Sequence, residues 1–383
     1  MKTWDIFCRV IDNFGDIGVC WRLARQLAAE HQQNVRLWVD ELDALIRIWP
    51  EASNVDQQTL AGVDVRNWPV DFPGDITIAD IVIEAFACDI PSSYIEKMAI
   101  AKQAGQAPFW INLEYLSAET WVEDCHKMVS VHPATGLRKT FFFPGFSSKT
   151  GGLLRESALF QQRDHFNRAE FFTRLGIAEP QNSLIISLFA YENPAISSLL
   201  AAWIASPSQV CCLVPEGKIL NSINQALGQN LQHGDSYTQG SLNLNVIPFL
   251  TQLEYDQLLW ACDINFVRGE DSFVRSQWAA KPFIWHIYPQ DEDAHLVKLN
   301  AFLEQFGSHL SDQLSSDLRT FWQQWNCQEE MGTSWERLIN HLPDWRQASS
   351  DWCQNLAKIP DLANQLATYY SPLTGQKSTT ENP

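Results

Sequence analysis

The sequence predicts an α/β fold of two domains, each with a parallel sheet that has helices on its faces. Strand-like and helical runs alternate before a loop at 141–157, and a second alternation begins near Ser183. This pattern is typical of parallel strands that are connected through helices. Because 383 residues suffice for two cores, we predict domains at 1–155 and 178–345. We expect the helices at about 346–372 to pack back on the first domain and 373–383 to form a disordered tail.

The first alternation accounts for most of the chain before the loop. Its predicted elements are a strand at 4–11, a helix from Val19 to His31, strands at 35–40 and 81–86, a helix at 93–103 and a strand at 109–116. The loop FFFPGFSSKTGGLLRES then combines a proline, a glycine pair and small polar residues. Lys149 and Arg155 border that pair, but a P-loop is excluded because the G-x-x-x-x-G-K pattern is missing.

The second alternation ends in a longer strand–loop–helix–strand unit. Strands are predicted at 184–193, 209–217 and 242–250, a short helix at 255–263, and the final unit with its closing loop at 264–295. In open α/β sheets, ligands bind at the carboxyl ends of the strands. Polar clusters at 12–18 and 268–272 both follow strands, so we expect the two sheets to face a central cleft with a site at their strand ends.

Composition excludes several classes of function. Acidic residues outnumber basic ones by 45 to 27, and the net charge is −18. Nucleic acid is therefore not an expected ligand, whereas a basic protein partner or plain solubility would suit this charge. No run of about 18 apolar residues predicts a membrane span, and the N-terminus has no signal peptide pattern. Nine cysteines without C-x-x-C spacing predict neither a disulfide framework nor a zinc site, and a cytoplasmic location fits best.

The stretch VIDNFGDIG after the first strand carries two carboxylates, Asp12 and Asp16, four residues apart. Asn13 and the glycines beside it allow a tight turn and leave room for a ligand. The pair is a candidate for gripping a cationic group. The alternative is that Asp12 only caps the following helix and that Asp16 is an exposed acid in its first turn.

A second candidate site is the loop RGEDSFVRSQW at 268–278. Asp271 or Ser272 can cap the helix that follows, whose free N–H groups and positive dipole end favour a phosphate. Arg268 can add a bidentate clamp. The alternative is an ordinary capped helix with a surface arginine. The spacing is similar to that of nucleotide-sugar transferases of the GT-B architecture, in which this loop holds ribose and diphosphate.

The segment PQDEDAH follows the next strand and resembles the proline- and acid-containing segment that GT-B enzymes place near the donor sugar. Asp291 and Asp293 can also be interpreted as an Asp-x-Asp metal site. Against that interpretation, the pair lies in the second half of the chain, where GT-B enzymes usually work without a metal ion. We therefore predict no metal ligands and no cofactor.

Taken together, DNFGDIG, PGFSSKTGGLLRE, SLFAYEN, IPFLTQ and FVRGEDSFVRSQWAAKPFIWHIYPQ occur in this order along the chain. This combination resembles the bacterial protein-arginine rhamnosyltransferases that modify elongation factor P, over about residues 4 to 370. The resemblance implies two Rossmann-like domains. It also implies that L-rhamnose moves from dTDP-β-L-rhamnose, a co-substrate, to one arginine side chain of elongation factor P with inversion at the anomeric carbon. That modification would activate the factor for ribosome rescue at proline stretches.

The resemblance also implies roles for particular residues. Asp12 and Asp16 fall on the acidic pair, with Asp16 as the proposed base, and Glu270 is assigned both a catalytic and a donor-binding role. The remaining donor-binding positions are Asn13, Phe14, Gly15, Phe189, Tyr191, Phe249, Gln252, Arg268, Asp271, Ser272 and Tyr288.

The implied chemistry suits these residue types. A guanidinium stays protonated because its pKa lies above roughly 12, so a single carboxylate cannot deprotonate it in the ground state. Two carboxylates can grip its planar fork, aim one nitrogen at the anomeric carbon and accept the proton as the C–N bond forms. Arg268 and the helix N-terminus meet the charge of the leaving diphosphate. Phe249 and Tyr288 suit stacking on the pyrimidine base, although core packing is the alternative for the aromatic residues.

Two other functions remain open at this point. A GT-B transferase that acts on a small molecule would keep the 268–272 loop but would need no broad acidic face. A catalytically inactive module that docks on a translation factor would need no carboxylate pair.

Overall fold

The computed structural model of the protein describes residues 1–12 and 14–373, apart from the side chains of residues 291 and 371–373. The chain forms two compact units, which we call unit 1 and unit 2. Unit 1 comprises Met1–Ser157 together with the chain from Leu356 onward, and unit 2 comprises Ala158–Asn355. The tail predicted at 373–383 lies outside the described residues except for Leu373, which is the last residue of a helix.

Unit 1 is built on a sheet that has eight strands in the described part of the chain, in the order β3-β4-β2-β1-β5-β6-β8-β7. The strands are β1 (Thr3–Cys8), β2 (Asn34–Val39), β3 (Gln57–Leu60), β4 (Val63–Asn67), β5 (Ile81–Ala85), β6 (Phe109–Leu113), β7 (Val129–Val131) and β8 (Arg138–Phe142). The first helices of the chain are α1 (Gly15–Ala29), α2 (Leu42–Ile48), α3 (Ser92–Gln103) and α4 (Trp121–Cys125).

The central strand β1 is buried on both faces, which explains its nearly continuous apolar sequence. On one face, Phe7 stacks on Trp38 with ring centroids 5.9 Å apart and meets the edge of Tyr94 at 5.0 Å. The polar residue of the strand, Asp5, is buried and accepts a bidentate hydrogen bond from Arg36. This packing fixes the end of β1, from which the acidic loop departs.

Unit 2 contains a sheet of six strands among the described residues, in the order β11-β12-β10-β9-β13-β14. The strands are β9 (Ser183–Leu188), β10 (Gln209–Pro215), β11 (Ser236–Gln239), β12 (Leu242–Ile247), β13 (Ile264–Arg268) and β14 (Phe283–His286). The helices are α5 (Leu159–Asp164), α6 (Arg168–Arg174), α7 (Ile196–Ile204), α8 (Ile219–Leu227), α9 (Gln252–Ala261), α10 (Asp271–Ala279), α11 (Ala294–Gly307), α12 (Asp312–Cys327), α13 (Gly332–Asn340) and α14 (Leu342–Leu356), with a 3₁₀ turn at Asp291–Asp293.

Both sheets have the predicted parallel strands at their centre and add antiparallel strands at their edges. The central strands are parallel, but β3 pairs antiparallel with β4, β7 with β8 and β11 with β12. These edge strands are three or four residues long and largely exposed, so they lack the apolar run by which the central strands were identified. Among the described residues, no helix is both long and apolar enough to cross a membrane.

The C-terminal helix α15 (Leu362–Leu373) belongs to unit 1. Leu362 donates its N–H to the Leu153 carbonyl at 3.0 Å, and Gln26 of α1 hydrogen-bonds Asp361 at 3.0 Å. The segment predicted to pack back on the first domain began near residue 346, which is ten residues too early. Residues 346–355 lie in unit 2, where Arg346 pairs with Asp263 at 2.9 Å.

The lower boundary of unit 2 also differs from the predicted residue 178. Helices α5 and α6 already belong to unit 2. Arg163 of α5 donates a hydrogen bond to the Trp278 carbonyl at 2.9 Å, and Arg174 of α6 hydrogen-bonds Gln257. These contacts attach to unit 2 a segment that the predicted boundaries left outside both domains.

Candidate active site

The acidic pair lies where β1 passes into α1. This helix begins at Gly15, four residues earlier than the predicted Val19, so Asp16 is in its first turn and not in a loop. The Asp16 side chain is only 2% exposed. Its Oδ2 accepts the backbone N–H groups of Ile11 at 2.7 Å and Asp12 at 2.9 Å, and its Oδ1 accepts the Tyr115 hydroxyl at 3.2 Å.

This geometry differs from the capping alternative. The N-cap residue of α1 is Phe14 and not Asp12, and Phe14 makes no side-chain cap hydrogen bond. Asp16 is buried and not an exposed first-turn acid. Its carboxylate folds the loop back on the helix start, while Asp12 is half-buried. A carboxylate offers about four acceptor positions, so three hydrogen bonds to Asp16 leave capacity for one more donor.

Two opposing influences set the proton affinity of Asp16. Burial raises its pKa because the charged form loses contact with water, and the nearby Asp12 carboxylate adds to that rise. The hydrogen bonds from the Asp12 and Ile11 backbone and from Tyr115 oppose it, yet the net shift of the pKa is upward. A carboxylate with a raised pKa is a better proton acceptor than an ordinary one, as a general base requires.

Gly15 makes the close approach of the two acidic residues possible. A Cβ at this position would lie 2.9 Å from the Asp12 Oδ2, which is closer than side chains tolerate. The Gly15 N–H donates to the Asp12 carbonyl at 2.6 Å, and the Phe14 carbonyl accepts the N–H of Gly18 at 2.9 Å. Asn13, also predicted as a site residue, lies outside the described residues.

In unit 2, the loop between β13 and α10 lies at the predicted position, but the residue that caps α10 is not the predicted one. The N-cap residue of α10 is Glu270, which makes no side-chain cap hydrogen bond, so the prediction of Asp271 or Ser272 as the cap is wrong. The Ser272 hydroxyl instead donates to the Arg268 carbonyl and accepts the Arg268 N–H at 3.2 Å. Gly269 has a φ of +61°, which turns the chain between the strand and the helix.

Arg268 lies against aromatic rings and is not the surface arginine of the alternative interpretation. It is buried, and its guanidinium carbon is 4.4 Å from the ring centroid of Phe189 and 4.9 Å from that of Tyr191. Tyr191 in turn meets Tyr288, at 5.7 Å between ring centroids, and Tyr288 is 39% exposed. The structure therefore brings four predicted donor-binding residues together at the carboxyl ends of β9, β13 and β14.

Two further residues that were predicted to bind the donor, Gln252 and Asp271, lie at the starts of two neighbouring helices. Gln252, the first residue of α9, donates to Asp271, the first residue of α10, at 3.2 Å. A buried bidentate pair between Arg275 and Asp256, at 2.8 and 2.7 Å, joins the same two helices one turn further on. Half-buried Phe249 lines a cavity of 360 Å³ together with Phe171, Arg174 and Glu254.

No metal centre is visible in the part of the chain that the structure describes, where no group of three or more His, Cys, Asp or Glu side chains could hold an ion. Asp293 lies in the 3₁₀ turn before α11. The side chain of Asp291, its partner in the Asp-x-Asp alternative, is not among those described.

Sequence reasoning missed two residues beside the predicted ones. His286, at the end of β14, is buried and packs on Tyr191 with ring centroids 5.2 Å apart. Burial and the neighbouring Arg268 charge lower its pKa to about 3, so it is neutral at physiological pH. Tyr115, which contacts Asp16, follows the end of β6. Ligands bind at the carboxyl ends of parallel strands, and this rule could have identified both residues. Tyr115 was missed because the predicted strand 109–116 extended through it.

Comparison with known proteins finds similarity along nearly the whole chain. The sequence profile of the family described as "Elongation-Factor P (EF-P) rhamnosyltransferase EarP" matches residues 4–371. The protein-arginine rhamnosyltransferase of Pseudomonas putida is 50% identical over 376 residues, which cover 96% of this chain and 98% of that protein. Its counterpart in Neisseria meningitidis serogroup B is 39% identical over 383 residues, with 96% of both chains covered.

Solved structures agree with the sequence comparisons. One, described as "Structural basis for EarP-mediated arginine glycosylation of translation elongation factor EF-P", has a TM-score of 0.69 at 36% identity and covers 97% of this chain and 99% of that one. A UDP-glucosyltransferase from Polygonum tinctorium has a TM-score of 0.53 at 10% identity, covering 98% and 99%. That identity indicates the fold alone, and the predicted α/β fold of GT-B type is confirmed.

Proposed function

This chain belongs to the family of elongation factor P rhamnosyltransferases, and from that premise we propose which reaction it catalyses. The proposed donor is dTDP-β-L-rhamnose, the proposed acceptor is an arginine side chain of elongation factor P, and the anomeric carbon is inverted. The observation that carries the proposal is the Asp16 carboxylate, held by hydrogen bonds beside Asp12, in a chain whose relatives are named protein-arginine rhamnosyltransferases.

The acceptor chemistry falls to unit 1. A guanidinium needs two carboxylate oxygens to match its planar fork, and Asp12 and Asp16 supply them from one turn of backbone. Asp16 is the proposed base because its carboxylate is fixed by three hydrogen bonds and its pKa is raised by burial. Asp12, which is half-buried, orients the guanidinium.

The bond changes balance without an added reagent. The lone pair of one arginine nitrogen forms the C–N bond at the anomeric carbon as the bond from that carbon to the diphosphate oxygen breaks. The nitrogen loses its proton to Asp16, and dTDP leaves with the electron pair. Attack opposite to the leaving group inverts the anomeric centre.

The donor falls to unit 2. Arg268 supplies a positive charge for the diphosphate, and the N-terminus of α10 adds the positive end of its helix dipole. Aromatic rings beside Arg268 offer faces for the thymine base, and Tyr288 is exposed enough to reach a ligand. Glu270, as N-cap residue, is half-buried beside this loop and is proposed to contact the donor sugar.

We further propose that the reaction needs no metal ion and takes place in the cytoplasm. The leaving charge is met by Arg268 and α10, which take the place that a cation holds in metal-dependent transferases. Activity is therefore expected to survive excess EDTA. Loss of activity that Mg²⁺ restores would contradict metal independence and would make Asp291 and Asp293 candidate ligands.

The test is incubation of the protein with dTDP-β-L-rhamnose and elongation factor P, followed by mass spectrometry of the intact factor. We expect a gain of one deoxyhexose, located on an arginine by fragmentation. A factor with that arginine replaced by lysine is the control and should gain nothing. Binding of the factor without transfer would favour an inactive docking module. Transfer to small molecules but not to the factor would favour the small-molecule transferase.

A further inference from the structure

The contact between Tyr115 and Asp16 joins two parts of unit 1 that are far apart in sequence. Tyr115 lies just beyond β6, and its hydroxyl is 3.2 Å from the Asp16 Oδ1. The other carboxylate oxygen is held from the opposite side by the N–H groups of Ile11 and Asp12. The carboxylate is thus held between its own loop and the end of a neighbouring part of the sheet.

The ring that carries this hydroxyl is itself fixed. Tyr115 stacks on Phe86, with ring centroids 4.4 Å apart and an angle of 16° between the planes. Phe86 is 7% exposed and follows β5, and its N–H donates to the Leu113 carbonyl at 2.7 Å. Rotation of the Tyr115 ring away from Asp16 would break its stack on Phe86, whose backbone is held by the hydrogen bond to Leu113.

The backbone that presents Phe86 is strained. Phe86 has a φ of +56° and Ala87 a φ of +52°, both in the left-handed region that side chains disfavour. In this region the Cβ of an L-residue lies too close to the following carbonyl oxygen. Strain of this kind persists where the surrounding structure determines it and is concentrated at functional sites. Here it holds an aromatic ring under Tyr115.

We propose that Tyr115 is a positioning residue for the reaction: its hydroxyl holds Asp16 in the orientation and the ionised form in which the carboxylate accepts the proton of the acceptor arginine. Phe86 acts through Tyr115 by fixing the ring. This inference rests on the proposed function, because it assigns Tyr115 a role only if Asp16 is the base.

The sign of the expected pH effect follows from the groups that face Asp16. These are Asp12 from the loop, Tyr115 from the segment after β6, and Cys8 at the end of β1. Burial and Asp12 raise the pKa of Asp16, and the Tyr115 hydroxyl lowers it. A base works only when ionised, so removal of the hydroxyl should move the acidic limb of the rate profile to higher pH.

The experiment compares wild type with Tyr115→Phe, which keeps the ring and its stack but removes the hydroxyl. We measure kcat, kcat/KM for the factor and dTDP affinity across pH. We expect the acidic limb of the variant to lie at higher pH than that of wild type. At pH values on this limb, kcat should fall about tenfold or more, which corresponds to the loss of one hydrogen bond to a charged group. The affinity for dTDP should not change. Tyr237→Phe is the matched control, because the hydroxyl of this unit 2 tyrosine donates to Gln239, two residues away, and its loss should leave the profile unchanged.

A second variant keeps the inference testable if Tyr115→Phe fails to fold. Phe86→Leu leaves the hydroxyl but removes the stacked ring, and a shift in the same direction is expected. A wild-type protein that transfers no rhamnose would contradict the proposed function itself. An active wild type, with folded Tyr115→Phe or Phe86→Leu whose acidic limb stays in place, would overturn the role of Tyr115 alone.

Discussion

At the scale of single residues, Asp16 combines the predicted task of a base with a structural task that the sequence did not predict. Its carboxylate shapes the loop through the Ile11 and Asp12 N–H groups, and it is also the candidate base. The acidic pair was predicted from its place after a strand. Its burial was not predicted, because it involves contacts between distant parts of the chain, such as the hydrogen bond from Tyr115, 99 residues away in the sequence.

Asp16→Asn separates the two tasks. The amide oxygen can still accept the two loop N–H groups, and its NH₂ group can donate to the Tyr115 hydroxyl, so the fold should be retained. The amide cannot take up the proton of the acceptor. We expect kcat to fall about 10²- to 10⁴-fold, with dTDP affinity unchanged by calorimetry. A near-normal rate would remove Asp16 from the proposed mechanism.

Arg268→Ala tests the donor loop with dTDP alone. The guanidinium is buried against Phe189 and Tyr191, so its charge is poorly screened by water. Loss of a charge-assisted contact should weaken dTDP binding about tenfold or more in calorimetry. Arg138→Ala removes an exposed arginine of unit 1 and serves as the control. Unchanged affinity in Arg268→Ala would mean that the side chain only packs against the aromatic rings.

At the scale of elements, the central strands and the long helices could be predicted, but helix starts and sheet edges could not. Helix α1 begins at Gly15 and not at Val19, since Asp16 stabilises the preceding loop through backbone contacts that no local pattern indicates. Edge strands such as β7 lack an apolar run because they have one neighbour and face solvent. Helix α10 begins at Asp271, one or two residues earlier than a cap at Asp271 or Ser272 predicted.

The glycine pair in the 141–157 segment was predicted as a loop, and its second member has a specific role. Gly152 has a φ of +68°, and a Cβ there would lie 2.4 Å from the Pro360 carbonyl oxygen. Gly152→Ala should therefore separate the loop from the C-terminal segment and lower the free energy of unfolding of unit 1 by at least about 1 kcal/mol.

Gly105→Ala is the matched control for that measurement. Gly105 has a φ of +77°, but a Cβ there would meet no atom within 4 Å, so its replacement carries the backbone strain without the clash. Denaturant unfolding of both variants should show the larger loss for Gly152→Ala. Equal losses would mean that strain alone, and not contact with Pro360, explains the glycine at 152.

At the scale of the whole molecule, the two alternations predicted two α/β units, but contacts between residues distant in sequence decide where each unit ends. Arg163 attaches α5 to unit 2 through the Trp278 carbonyl, and Trp352 attaches α14 through Gln277. Gln26 attaches the segment before α15 to unit 1 through Asp361. The composition of the chain does not indicate these hydrogen bonds between distant residues. The predicted unit boundaries therefore differ from those of the structure.

The charge of the whole chain leads to the last prediction. With a net charge of −18, the protein should attract a positively charged surface around the acceptor arginine of elongation factor P. Such steering acts over roughly the Debye length, about 8 Å at physiological salt, and is therefore screened as salt rises. It changes association more than dissociation, which depends on contacts already made.

Stopped-flow binding of the factor across a salt series measures both rates. We expect the association rate constant to fall steadily as NaCl rises, while the dissociation rate constant changes less. Binding of the neutral nucleoside thymidine provides the control, because without a charge on the ligand its association should not depend on salt in the same way. An association rate for the factor that stays flat across the series would mean that the acidic surface contributes to solubility and not to recognition of the acceptor.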